Sequence, residues 1–204
     1  MADSKTPLES NNCYHIYNHA VGNELLFKKK DNYRFFLEKA KKYLPLFVDI
    51  YAYCLMPNHF HFLLKVGNEE DVITAVRSTY PNKSLKKELK VPQIISRQFS
   101  HLFNSYAQAY NKQNNRKGSL FYNRYKRILV NGDDYLIKLI HYIHYNPVRH
   151  GFVKVLDEWE HSSYKAIVSN GDTLIKRKEV LELFNDVENF KYCHKVDPTI
   201  SGID

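Results

Sequence analysis

Two histidines one residue apart, His59 and His61, lie in the stretch YAYCLMPNHFHFLLKV that runs from Tyr51 to Val66. Side chains two apart on a strand point to the same face, so an extended HFHFLLKV places both imidazoles on one side and Phe60 and Phe62 on the other. Imidazole nitrogens bind divalent transition metals. Two of them held by backbone pairing supply much of a site and leave positions open for substrate oxygens. A pair of half-exposed strand histidines without a ligand fits the same spacing, so the remainder of the chain has to decide.

The elements that must position this pair are legible on both sides of it. Upstream, Cys13 to Ala20 alternates as a strand, with Tyr14, Ile16, Asn18 and Ala20 opposite His15, Tyr17 and His19; these two histidines read as ordinary strand residues. Asp31 to Leu44 has a helical period, with Asp31 as N-cap and Tyr33, Phe36, Leu37, Ala40, Tyr43 and Leu44 on one apolar face, ended by Pro45. Phe47 to Met56 and His59 to Val66, joined by Pro57-Asn58, predict an antiparallel hairpin with the histidine strand near the middle of the sheet. A β-α-β-β opening of this kind implies an α+β fold, a ferredoxin-like antiparallel sheet with helices on one face.

Downstream, Glu69 to Tyr80 reads as a short helix and residues 81–95, polar, basic and bounded by Pro81 and Pro92, as an inserted segment. Ser96 to Gln113 is a clear helix that buries Phe99, Leu102, Phe103, Tyr106, Ala109 and Tyr110. NNRKG breaks it, with Gly118 suited to a left-handed turn. Leu120 to Val130 reads as a strand on which Arg124, Lys126 and Arg127 are interleaved with Phe121, Tyr122 and Tyr125. That mixture can grip a nucleic-acid backbone and stack bases, or can simply be a solvated face. Asn131-Gly132 turns into a third helix, Asp133 to about Tyr145, capped by Asp133 or Asp134 and stopped by Pro147. Past Ser169-Asn170-Gly171-Asp172, Lys176 to Cys193 reads as one helix and KVDPTISGID as a frayed tail. The expected division is a disordered leader at 1–12, a main domain at 13–167 and a helical extension with its tail at 168–204.

Composition narrows the class. The chain has 204 residues, 44% of them hydrophobic, which suits one well-cored domain. Lysine and arginine number 30 against 22 aspartates and glutamates, a formal charge of +8 that favours a polyanionic partner. The three cysteines, Cys13, Cys54 and Cys193, form no CxxC pair. Neither a disulfide framework nor a thiolate zinc site follows, and a reducing cytoplasm is expected. No run approaches a membrane span and the N-terminus lacks a signal peptide's apolar centre.

On the third helix Tyr142 and Asn146 are four apart and share a face with Leu139, so a phenol and an amide can point together at the sheet. The chain has sixteen tyrosines, and spacing alone does not select Tyr142 over Tyr106, Tyr110 or Tyr145.

Taken together, YHIYNHAVGNELLF, AYCLMPNHFHFLLKV, GSLFYNRYKRILV, YIHYNPVRHGFV and WEHSSYKAI resemble, in this order and spacing, the REP-associated tyrosine transposases. These belong to the HUH single-tyrosine transposases, whose ferredoxin-like palm cuts and rejoins single-stranded DNA. The resemblance spans about Cys13 to Ile167. It implies that His59 and His61 are the metal-binding HUH pair, that Tyr142 is the nucleophile ahead of NPVR, and that Asn146 is a third polar ligand, with His144 as its rival. It also implies Mg2+ or Mn2+ as the metal and single-stranded or hairpin DNA as the partner, as monomer or homodimer. Arg124, Arg127 and Arg149 are candidate phosphate contacts, and Arg116 and Lys126 complete the basic set. A phenol ionises near ~10, and near a helix's C-terminal end its anion is harder to form, so a cation has to compensate. Two other classes compete: a hairpin-binding module without cleavage, and a metal phosphodiesterase that uses water.

Overall fold

The computed structural model describes residues 5–80 and 90–198. Its centre is a four-stranded antiparallel sheet of β1 (Cys13–His19), β2 (Val48–Met56), β3 (His59–Val66) and β4 (Lys126–Val130), in the order β2-β3-β1-β4. With α1 (Lys30–Tyr43) after β1, and with α2 (Glu69–Thr79) and α3 (Val91–Gln113) between β3 and β4, this is the ferredoxin-like order, and β3 is an interior strand as expected.

Alternation divides the sheet into two unlike faces. Ile16, Phe60, Phe62 and Leu64 point to α1 and α3, where Phe36 meets Phe60 at 5.3 Å and Tyr106 at 5.0 Å between ring centroids. The Tyr106 and Tyr110 hydroxyls donate to the carbonyls of Leu26 and Leu25, tying the loop after β1 to α3. Both phenols therefore serve the apolar layer and leave the list of candidate nucleophiles. The other face carries His15, Tyr17 and His19 of β1 beside His61 and His59 of β3. The expectation of helices on one face holds for α1 and α3; in addition α4 (Asp133–Arg149) covers β2 and β3 on the histidine side.

Several boundaries differ from the sequence reading. α3 starts at Val91, inside the expected insertion, because Pro92 falls in its first turn, where a missing N–H costs nothing; residues 81–89 lie outside the described residues. The strand expected over 120–130 is confined to Lys126–Val130; Phe121 makes one bridge to Ala20 and the chain bends between. Pro147 does not stop α4, which runs two residues further and ends at Gly151 with φ +71°. Its N-cap is Gly132, with Asp133 and Asp134 in the first turn, where they complement the dipole. Asp31 likewise sits within the first turn of α1, and Asn32 accepts from the Lys28 and Lys29 amides instead.

The expected helix over 176–193 is two, α6 (Arg177–Leu183) and α7 (Val187–Cys193), broken at Asn185, whose φ of +70° lies in the left-handed region. They follow a 3-10 turn (Leu156–Glu158) and α5 (Tyr164–Val168). Residues 5–12, expected as disordered leader, are packed: Leu8 is 0% exposed and the chain pairs at Val66 through Asn11 and Asn12. Residues 1–4 and 199–204, which hold the rest of the expected leader and tail, lie outside the described residues. Along β2's outer edge Leu55 N donates to His161 O, Ser163 N to Tyr53 O and Lys176 N to Ile50 O, so the edge strand is covered.

Candidate functional site

β3 and α4 build the site between them. The β1–β3 register sets Tyr17 opposite His61 and His19 opposite His59, while β2 places Cys54 and Met56 on their other side. From α4, Asn146 reaches both imidazoles: its Oδ1 lies 3.2 Å from His59 Nε2 and its Nδ2 lies 3.4 Å from His61 Nε2. Tyr142, one turn earlier, sets its ring edge-on to His61 at 6.0 Å between centroids. The Arg149 guanidinium lies 5.7 Å from the centre of the Tyr142 ring, and the His150 ring lies 5.6 Å from that of His59. Phenol, amide and guanidinium thus share one face of α4 at i, i+4 and i+7.

Two partners that the sequence did not disclose orient the histidines. His15 Nε2 lies 2.9 Å from His61 Nδ1, and Asn58 Oδ1 lies 2.8 Å from His59 Nδ1. Burial, followed by the neighbouring His15, His59, His19 and His150, holds His61 well below the usual histidine range, so it is neutral. With Asn146 Nδ2 donating to it, His61 Nε2 carries the lone pair and Nδ1–H donates to His15.

At His59 the arrangement suits a cation. A neutral imidazole has a single N–H, yet both of its partners, Asn58 and Asn146, present amide oxygens. If Nδ1–H donates to Asn58, a lone pair on Nε2 faces a lone pair on Asn146 Oδ1. The two atoms are 3.2 Å apart. An ion between His59 Nε2 and Asn146 Oδ1 would remove the conflict, and His61 Nε2 would join it on releasing its bond from Asn146 Nδ2. Among the described residues no three His, Cys, Asp or Glu side chains group as a metal site.

The remaining candidates are distributed differently. His144, the rival to Asn146, is enclosed elsewhere, with Nε2 2.7 Å from Ser163 Oγ and Nδ1 3.0 Å from His194 Nε2. Tyr145 lies beside a separate cavity lined by Lys154, Lys191 and His194. Arg116 acts as a structural brace, donating to Glu24, Asn111 and the Gly118 and Ser119 carbonyls. Arg127 is paired with Ile16 and so faces away from the histidines; it donates to Thr6 O and lies 4.3 Å over the Tyr125 ring. Arg124 lines the same cavity as Arg127, on that far side. Only Lys126, in register with Tyr17, and Arg149 are on the histidine face. Because α4 continues to Arg149, Tyr142 lies mid-helix, where the dipole opposes its ionisation less than the expected last-turn position would.

These features define the class first: an α+β protein with a ferredoxin-like antiparallel sheet and a polar site of paired histidines beneath a helical tyrosine and asparagine. No protein-family profile matches the chain. A Haemophilus influenzae protein provisionally named a REP-associated tyrosine transposase is 30% identical over 113 residues, 55% of this chain and 57% of that one. The match therefore spans a little over half the length of that relative. A solved structure, described as a REP-associated tyrosine transposase bound to a REP hairpin, superposes with a TM-score of 0.57 at 15% identity, over 85% of this chain and 90% of that chain. At that identity the likeness is one of fold. The chain resembles the REP-associated tyrosine transposases in sequence and shares their fold. Among the described residues no helix is long and apolar enough to cross a membrane.

Proposed function

We propose that the protein is a metal-dependent DNA strand transferase that cleaves single-stranded, hairpin-forming DNA through a 5′-phosphotyrosyl intermediate on Tyr142. The observation that carries the reading is the meeting of His59 Nε2 and His61 Nε2 at the side-chain amide of Asn146, with the Tyr142 ring edge-on to His61. The likeness to a transposase and to the hairpin-bound structure supports DNA as the substrate.

His59, His61 and Asn146 would hold Mg2+ or Mn2+, which when bound neutralises charge on a phosphodiester and its leaving oxygen. The phenol oxygen of Tyr142 attacks phosphorus and the bond to the 3′ oxygen breaks. The 5′ side stays joined to the tyrosine as a phosphodiester, and the departing oxygen takes up a proton as a 3′-hydroxyl. The Arg149 guanidinium favours the negative charge developing on the phenol and the phosphate. Attack of a 3′-hydroxyl on the phosphotyrosyl bond reverses the sequence and joins strands, so no nucleotide cofactor is required. Tyr142 is 1% exposed, so its surroundings have to shift before a phosphate reaches the phenol.

The test is a denaturing gel of the protein with labelled hairpin oligonucleotides and Mg2+ or Mn2+, beside Tyr142→Phe and His59→Ala. A covalent adduct formed only by the unmodified chain is expected. Cleavage without an adduct would assign a water-using phosphodiesterase, and binding without cleavage in both metals a hairpin-binding module.

A further inference from the structure

A cavity of about 430 Å³ lies between α4, the chain that follows it and the end of α7, and shares no lining residue with the His59–His61 site. That volume is within the range of small-ligand sites, about 300–1,000 Å³. Its walls are apolar or aromatic, with Tyr145 and Val148 from α4, then Leu156 and Tyr164. The Tyr164 ring stacks on Phe190 at 5.7 Å between centroids and lies 5.3 Å from the His194 ring, so a packed aromatic cluster backs the wall. His194 also lines the cavity and is 3% exposed. Its Nε2 is engaged by His144 and its Nδ1 by the Phe190 carbonyl, which leaves ring carbons to face the space.

Cations complete the lining. Lys154, Lys191 and Lys195 contribute to it, against Asp157 alone of the acidic residues. Lys191 is held by Glu188 at 2.9 Å, whereas Lys154 and Lys195 are exposed and have no ion-pair partner among the described residues. Lysine stems lie along apolar surface and carry the charge to its edge. An apolar interior with a few charged groups of one sign is the pattern of a small-molecule site. An inorganic anion would gain nothing from the aromatic walls, and a neutral aromatic molecule would leave the cations unmatched. A nucleic-acid backbone spreads its phosphates along a surface and does not enter a hollow of this size. The chemistry that satisfies both halves of the lining is a compact apolar body with an anionic head.

We infer that the cavity between α4, residues 154–157 and the end of α7 binds a small organic anion, an aromatic or other apolar body bearing a carboxylate or phosphate. Lys154 and Lys195 meet the head group, and Tyr145, Val148 and Tyr164 meet the body. The inference does not depend on the strand-transfer reading. Because Tyr145 and Val148 belong to the helix that carries Tyr142 and Asn146, it gives that helix a second ligand site beside its candidate chemistry.

The test is titration calorimetry on the full chain, without added metal, so that no ion at the histidine pair captures the head group. The probes are naphthoate and phenyl phosphate, with naphthamide as the body-only control and inorganic phosphate as the head-only control. At least one of the two organic anions should bind with a Kd of about 1 mM or tighter, the level that ordinary ligand efficiency gives a molecule of this size. Its control should bind about tenfold more weakly or not at all. Lys154→Ala/Lys195→Ala should lose about tenfold in affinity and Lys154→Arg/Lys195→Arg should keep most of it. Val155→Asp places a carboxylate at a lining position that is 55% exposed and should abolish binding. All three positions are exposed, so circular dichroism should show each variant folded. Failure of both organic anions to bind, a control that binds as tightly as its organic anion, or full affinity in the double alanine variant would overturn the inference. A double alanine variant that loses affinity for a DNA hairpin and keeps it for the organic anion would also overturn it, and would make these lysines part of a nucleic-acid surface.

Discussion

Acid should loosen this protein through a cluster of buried histidines distant from the metal-type pair. His194, at the end of α7, presents Nε2 to His144 Nδ1 at 3.0 Å and donates from Nδ1 to Phe190 O. Its burial, with His141 close by, depresses its pKa to about 3, and burial holds His144 well below the usual range. An unfolded histidine titrates near ~6.5, so between that value and about 3 the unfolded chain binds the proton and the folded chain does not. Stability from this group is complete above pH ~6.5 and is lost as pH falls. At pH 5 the deficit from His194 alone is 1.36 × log(1 + 10^1.5), about 2 kcal/mol, and His144 acts in the same direction. For a chain of this size that is a fall in Tm of about 4–8 °C between pH 8 and pH 5. Urea titrations followed by circular dichroism at pH 8, 6 and 5 measure it, with His194→Gln alongside. The variant should be less stable at pH 8 and should lose less on acidification, so that the two curves converge. Parallel curves would refute the assignment of acid sensitivity to this group.

Three further outcomes follow from the packing. His15→Ala removes the partner of His61 Nδ1 and should weaken Mn2+ binding about 10- to 100-fold by calorimetry, with His15→Gln recovering part of it; unchanged affinity would remove His15 from the site. Arg116→Ala should cost about 1–3 kcal/mol of stability in chemical denaturation and leave DNA affinity intact, the reverse of the outcome for a phosphate-contacting arginine. Leu8→Ala should cost about 2–5 kcal/mol in the same assay, which a disordered leader would not.

The parts of the molecule built on local repetition were readable from the chain. The period-2 run at Cys13–His19, the Pro57-Asn58 hairpin and the 3.6-residue stripes of α1 and α3 each bury a face that the alternation announces. Spacing sets His59 with His61 on one strand face and Tyr142 with Asn146 on one helix face, and the fold brings the two faces together; naming the four as a site came from motif order. The misses have a common cause in contacts distant along the chain. His15 looked ordinary because its role depends on the β1–β3 register, 46 residues away from His61. Leu8 is one apolar residue in a polar stretch, and Arg116 looks like any loop cation until Glu24 and two carbonyls close on it. Pro92 reads as a bound of the inserted segment and Pro147 as a stop, yet a first-turn proline suits a helix, and α4 continues with Asn146 and its neighbours anchored against β2 and β3.

The two-residue turn between β2 and β3 leaves no slack for insertion or deletion. One residue added at Pro57-Asn58 that shifted β3 by a single step would exchange its faces. The imidazoles would enter the aromatic layer under α1, and Phe60 and Phe62 would take their places beneath Asn146. Length variation among relatives should therefore be absent from this hairpin. The same constraint guides engineering: a reporter domain or a tether inserted at Pro57-Asn58 would dismantle the site.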